Sequence, residues 1–189
     1  AVLFVVTIGI VFAVIGSHKK ENNPSVADNQ NNETTAEPTT EEETTTKVPT
    51  VEVDLMMIGD MLMHEGVVKS GLMDDGTYNF DHLYTNIAKD ISSADIKIVN
   101  QETILGGSDF AYTGYPTFNS PWALGDAEVK AGFNIILHAT NHTLDKGLKG
   151  VENCLSFWKT YHPDTTVLGI NETEEDYENI YVYEKEGFK

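Results

Sequence analysis

FNIILHATNHTLDKGLKG, residues 133–150, is the stretch whose reading decides the fold. Phe133 to Ala139 is apolar and rich in β-branched residues, the signature of a buried strand. Asn141 and His142 follow where that strand should end. Asp145 then sits where a helix should begin, and Gly147 and Gly150 keep that helix start slender. Asp145 suits the N-cap position, because a short carboxylate can accept from the first free amides of a helix. The helix itself reads as 146–161, with Leu148, Val151, Leu155 and Trp158 on one face.

Working outward, the same alternation recurs. VEVDLMMI (51–58) reads as a first strand, followed by a loop, GDMLMHEG. FDHLYTNIAKDI (80–91) has helical spacing at Leu83, Ile87 and Ile91, with Asp81 as its N-cap. DIKIVN (95–100) reads as a second strand, and 124–132 as a short helix stopped by Gly132. TTVLGI (165–170) reads as a further strand. NIYVYEKEGFK (179–189) reads as a strand, a turn and the start of another strand. Strands alternating with helices predict an α/β fold with a parallel sheet and right-handed crossovers.

In such sheets ligands gather beyond the carboxyl ends of the strands. Asp60 and His64 follow the first strand, Glu102 the second, and Asn141, His142 and Asp145 the third. Carboxylates, an amide oxygen and imidazole are ligand types for Mn, Fe, Zn or Mg. Two such ions can clamp a phosphoester for hydrolysis. His138 reads instead as a buried, satisfied histidine, and His82 and His162 as surface positions. The lone cysteine, Cys154, reads as a small core residue and excludes an internal disulfide.

Residues 1–49 have a different character. The chain opens at Ala1 within an apolar run, which reads as an incomplete N-terminus. AVLFVVTIGIVFAVIG (1–16) carries no charge. At about 1.5 Å per residue it covers roughly 24 Å, a little short of a bilayer core of about 30 Å. Residues 1–17 are therefore expected to form a transmembrane anchor rather than a cleaved signal. Residues 18–49 are dominated by Asn, Thr, Glu and Pro, and have almost nothing to bury. They are expected to be a disordered acidic linker to a domain at 50–189. Positive charge at His18-Lys19-Lys20 argues mildly for a cytoplasmic domain. The formal net charge of -18 argues against nucleic acid as a partner.

Several stretches, in order, resemble the CapA or PGA_cap proteins of bacterial poly-γ-glutamate capsule synthesis. They are IGDMLMHEGVVKSG, YNFDHLY, ADIKIVNQETILGG, GYPTFNSP, AGFNIILHATNHTLDKGLKG and VLGIN. The resemblance runs from Val51 to Lys189. It implies a calcineurin-like metallophosphoesterase fold, layered and built on a βα sheet, of which this chain carries the N-terminal part. Asp60 matches the Asp of the family's Asp-x-His motif, while Leu62 stands at the His position, which His64 could serve in its place. Glu102 matches a bridging carboxylate, and Thr140-Asn141-His142 matches the Gly-Asn-His motif. The implied metal ligands are Asp60, Glu102 and Asn141, and the implied catalytic residue is His142; His64 and Asp145, beside it on the same edge, are the further catalytic candidates. The last motifs, which supply further histidines, would lie beyond Lys189.

The resemblance further implies a single-pass membrane protein with its folded domain extracellular, against the hint of His18-Lys19-Lys20. Its partners would be the poly-γ-glutamate synthase or export components. Two functions follow: a metal-dependent, phosphoesterase-like enzyme of capsule synthesis, or a non-catalytic scaffold or polymer-binding component of the export assembly. With half of the core in that missing part, Ile135, Ile136 and Leu137 are expected to be incompletely covered.

Overall fold

A computed structural model describes residues 50–189. The expected anchor at 1–17 and the expected linker at 18–49 lie outside them. Among the described residues no helix is long and apolar enough to cross a membrane.

The elements run in the order β1 (Leu55–Ile58), α1 (Glu65–Ser70), a 3-10 turn (Asp81–Leu83), α2 (Ala88–Ser93), β2 (Ile96–Asn100), α3 (Ala123–Ala131), β3 (Ile135–Leu137), α4 (Gly147–Tyr161), β4 (Thr166–Leu168) and α5 (Glu174–Glu178). The four strands form one parallel sheet in the order β1-β2-β3-β4. The α/β class and the parallel sheet are as the sequence implies. Strands laid down in one direction with right-handed crossovers place every crossover helix on the same face.

The packing agrees. Ile58, Val99, Ile136 and Val167 are register partners across all four strands. They pack against Ile91, Leu124, Cys154, Phe157 and Trp158 from α2, α3 and α4. The opposite face carries Leu55, Met57, Ile96, Ile98, Ile135 and Leu137, with Leu55 and Met57 59% and 57% exposed. Parallel sheets are ordinarily covered on both faces, so the exposed β1 end of this face, Leu55 and Met57, is available for association. Residues 50–189 alone are expected to self-associate as concentration rises. Sedimentation showing a monomer across a hundredfold range would contradict this.

Several expectations are corrected. The expected strand 51–58 enters the ladder only at Leu55, because β2 begins opposite it at Ile96. The expected helix 80–91 splits into the 3-10 turn and α2, and the intervening Thr85 and Asn86 are poor helix formers. Asp81 does not cap it. Its own N–H is held by Asn79 Oδ1 at 2.9 Å, and its carboxylate pairs with Lys130. α1 and α5 were not foreseen. α5 is set by a capping box between Thr173 and Asp176. No strand forms over 179–189, where only an isolated bridge joins Lys185 to Phe188. Ile136 is fully covered by the helical layer, and Ile135 is also buried. On α4 the buried positions are Gly150, Cys154, Phe157 and Trp158, while Leu148 is 75% exposed. The face turns because Phe157 and Trp158, the largest groups on the helix, claim the core. The helix over 123–131 does stop at Gly132, whose φ of 109° suits glycine.

Candidate functional site

Parallel neighbours bring the carboxyl ends of β1, β2 and β3 to one edge. Hydrogen bonds lock the three ends together. Met61 N–H donates to Asn100 O at 2.9 Å, and the Asn100 amide donates to Asp60 Oδ1. Gln101 N–H donates to Leu137 O at 2.9 Å. Thr140 Oγ1 donates to Glu102 O at 2.8 Å and accepts from His142 N–H at 3.1 Å. The turn after β3 is therefore tied to the turn after β2 before any ligand arrives.

The best-defined chemistry on this edge is a pair. His142 Nδ1 lies 2.8 Å from Asp145 Oδ2, with the two side chains only 15% and 12% exposed. The same carboxylate oxygen accepts from Phe118 N–H at 2.7 Å. Asp145 is thus not the N-cap of α4, a position held by Lys146, whose side chain does not cap the helix. Its Oδ2 is turned toward His142 and the 118 loop instead. With Nδ1 committed to a carboxylate, His142 Nε2 is the nitrogen left to give or take a proton.

Phe118 is the element the sequence reading missed. Its ring stands edge-on to His142 at 4.6 Å and to His64 at 5.3 Å, so one phenyl separates the two imidazoles. His64 is exposed and sits at the start of α1. The loop carrying Phe118 is held rigidly from below. Buried Asn119 accepts from Gly106 N–H at 2.9 Å and donates to Gly107 O at 3.0 Å. The Ser120 and Thr103 hydroxyls are bonded at 2.6 Å. The sequence held a signal for this, since Phe118, Asn119 and Ser120 lie within GYPTFNSP, but none is a titratable residue.

The expected metal ligands fare differently. Asp60, Glu102 and Asn141 all follow strands at this edge. Yet among the described residues no three His, Cys, Asp or Glu side chains come together to hold a metal ion. Asp60 Oδ1 is already engaged by Asn100, and Asn141 is exposed.

The buried groups behind the edge are structural. Trp158 Nε1–H donates to His138 Nε2 at 3.0 Å, and burial pushes that imidazole down to about 3. His138 is neutral and satisfied, as its sequence context suggests. Burial lifts the Cys154 thiol to about 12, which makes it a poor nucleophile. His162 is not a surface residue. It pairs with Asp126 at 2.7 Å and lies against Phe157.

The model of one protein family, Bacterial capsule synthesis protein PGA_cap, matches residues 54–189. No curated protein and no solved structure matches the chain.

Proposed function

Because the chain belongs to the family of bacterial capsule synthesis proteins PGA_cap, we propose that it acts in the synthesis or export of a poly-γ-glutamate capsule at the cell surface. The folded domain works outside the membrane, tethered by the apolar segment 1–17 and the acidic linker 18–49. The His142–Asp145 pair is its acid–base group, in a phosphoesterase-like reaction. The observation that carries this reading is the Asp145 carboxylate bonded to both His142 and the Phe118 amide. Such an arrangement fixes the imidazole's tautomer and orientation, which acid–base chemistry requires and a surface histidine lacks. In this role Asp145 holds the ring, and Nε2 donates a proton to the departing oxygen.

The test is complementation of a strain lacking the protein, scored by capsule content. His142→Gln and Asp145→Asn are expected to lower polymer output by about 10²-fold, the lower end of the usual acid–base contribution. Both variants should melt within a few degrees of wild type. Wild-type output from either variant would remove the pair from the chemistry.

The second reading is a non-catalytic component of the export assembly; it is favoured by one observation, that among the described residues no three His, Cys, Asp or Glu side chains converge at this edge. The family resemblance assigns Asp60, Glu102 and Asn141 to a metal that supplies Lewis-acid chemistry. Metal content after gel filtration separates the cases. Stoichiometric metal that Glu102→Ala loses would support the enzyme; no metal together with full output from the His142 variant would support the scaffold.

A further inference from the structure

The turn that leads into α4 grips the Phe118 loop with two consecutive side chains. Asp145 Oδ2 accepts from Phe118 N–H at 2.7 Å. Lys146 Nζ donates to Thr113 Oγ1 and to Thr117 O, each at 3.0 Å. Thr117 O and Phe118 N–H are the two polar ends of one peptide unit. That unit is planar and rigid, so holding its carbonyl by Lys146 and its amide by Asp145 fixes its orientation. Thr113 Oγ1 also donates to Thr117 O at 2.6 Å, which closes the set of bonds across the loop.

The antiparallel bridge between Thr113 and Asn119 pins the base of this loop. Residues 114–118 lie beyond the bridge, and Phe118 is among them. Turning the Thr117–Phe118 peptide would take its N–H from Asp145 and swing the phenyl ring away from His142, 4.6 Å away. Lys146 opposes that turn. Among the described residues no carboxylate pairs with its ammonium, so the neutral oxygens of the loop set its place. α4 makes room for it. Gly150 is buried one turn after Lys146, at a position where glycine weakens a helix relative to alanine. A Cβ there would lie 2.5 Å from Lys146 Cβ. The glycine leaves the space that the lysine stem occupies.

We propose that Lys146 is a positioning residue for the His142–Asp145 pair, acting through the Thr117–Phe118 peptide that it and Asp145 hold between them. The inference rests on the acid–base reading of that pair. Lys146 acts on the loop, the loop on the Asp145 carboxylate, and the carboxylate on the imidazole.

Lys146→Met keeps the stem and removes the donors. The full 189-residue chain is observed by nuclear magnetic resonance in detergent micelles. The His142 ring protons are expected to lose the ring-current shift of Phe118. The imidazole nitrogen shifts should show a proton shared between Nδ1 and Nε2 instead of held on Nδ1. Capsule output in the complementation assay should fall about tenfold, within the range that misplacement alone produces. Added to Asp145→Asn, the substitution should lower output little further, because both act on one peptide. Lys146→Arg retains donors and charge, and should restore the wild-type ring signals and most of the output. Gly150→Ala should give the Lys146→Met spectrum, although alanine is the better helix former; should Lys146→Met unfold the chain, that spectrum decides. Wild-type His142 signals in Lys146→Met, or a fall in output with those signals unchanged, would overturn the proposal. Altered His142 signals in Lys146→Met, with full output from His142→Gln, would uphold the positioning and sink the acid–base reading alone.

Discussion

Gly169→Ala is expected to lower the thermal midpoint by about 10 °C and to disable the His142 edge with it. Gly169 follows β4 with a φ of 94°, where a side chain is strained. That conformation costs a non-glycine residue about 1–3 kcal/mol. An added Cβ would also lie 2.4 Å from Ala139 N and 2.7 Å from Ala139 Cβ. Backbone cannot rotate aside as a long side chain can, and overpacking of this kind costs about 1–3 kcal/mol more. The obstructed residue is two before Asn141 and three before His142, so relief of the clash displaces the turn that holds the acid–base pair. Gly76→Ala is the control. Its φ is 83°, but nothing lies within 4 Å of the added carbon, so it bears the conformational cost alone. Calorimetry on both variants gives the contact contribution by difference. Equal midpoints for the two would mean that β4 and the Ala139 turn do not meet as closely as the structure has them.

Glu128→Met is expected to stabilise the protein, by an amount that grows with pH. Glu128 lies on α3 and is wholly buried, with neither carboxylate oxygen hydrogen-bonded. The nearby Tyr84 hydroxyl donates instead to Met61 Sδ at 3.3 Å. Burial drives the Glu128 carboxyl well above the ordinary 4.5, offset only in part by Tyr84. In the folded protein this group therefore keeps a proton that the unfolded chain releases. Its contribution to stability is full below pH 4.5 and falls as pH rises through the folded value, by about 1.4 kcal/mol per pH unit within that window. Even protonated, an unpartnered buried polar group costs about 1–3 kcal/mol. Methionine has similar length and no polar oxygen. Urea midpoints for wild type and variant between pH 5 and 9 should diverge, with the variant higher throughout. A constant difference would show that folded Glu128 is ionised across this range, as in the unfolded chain, and that burial does not raise its carboxyl. His138 acts on the acid side. Its pKa is depressed from 6.5 to about 3, so its contribution is present above pH 6.5 and is lost as pH falls toward 3. Both proteins share that slope, and it cancels in the comparison.

The sequence by itself determined the class of fold and the edge at which to look. Apolar runs at 55–58, 96–100 and 135–137 could only be satisfied as buried strands, and the intervening helices required parallel crossovers. Once that is so, Asp60, Glu102 and His142 must share an edge, because each directly follows a strand. The sequence also marked His138 and Cys154 as interior, since both fall on faces otherwise apolar. Local pattern could not reach further. Asp145 reads as a cap because three-residue spacing is all that a sequence displays. Its partner Phe118 lies 27 residues away and reaches it only through the loop pinned by Asn119. Leu148 has the right helical spacing, yet Phe157 and Trp158 outbid it for the core because they bury more area. The 179–183 segment has strand composition, but strands need a paired edge, and no strand of the described residues pairs with it. Glu128 lies in a polar-looking stretch and is buried only because α3 packs between the 3-10 turn, α2 and α4. Composition and period are set by the chain's neighbours in sequence; which groups meet, and which are left without partners, was decided by neighbours in space.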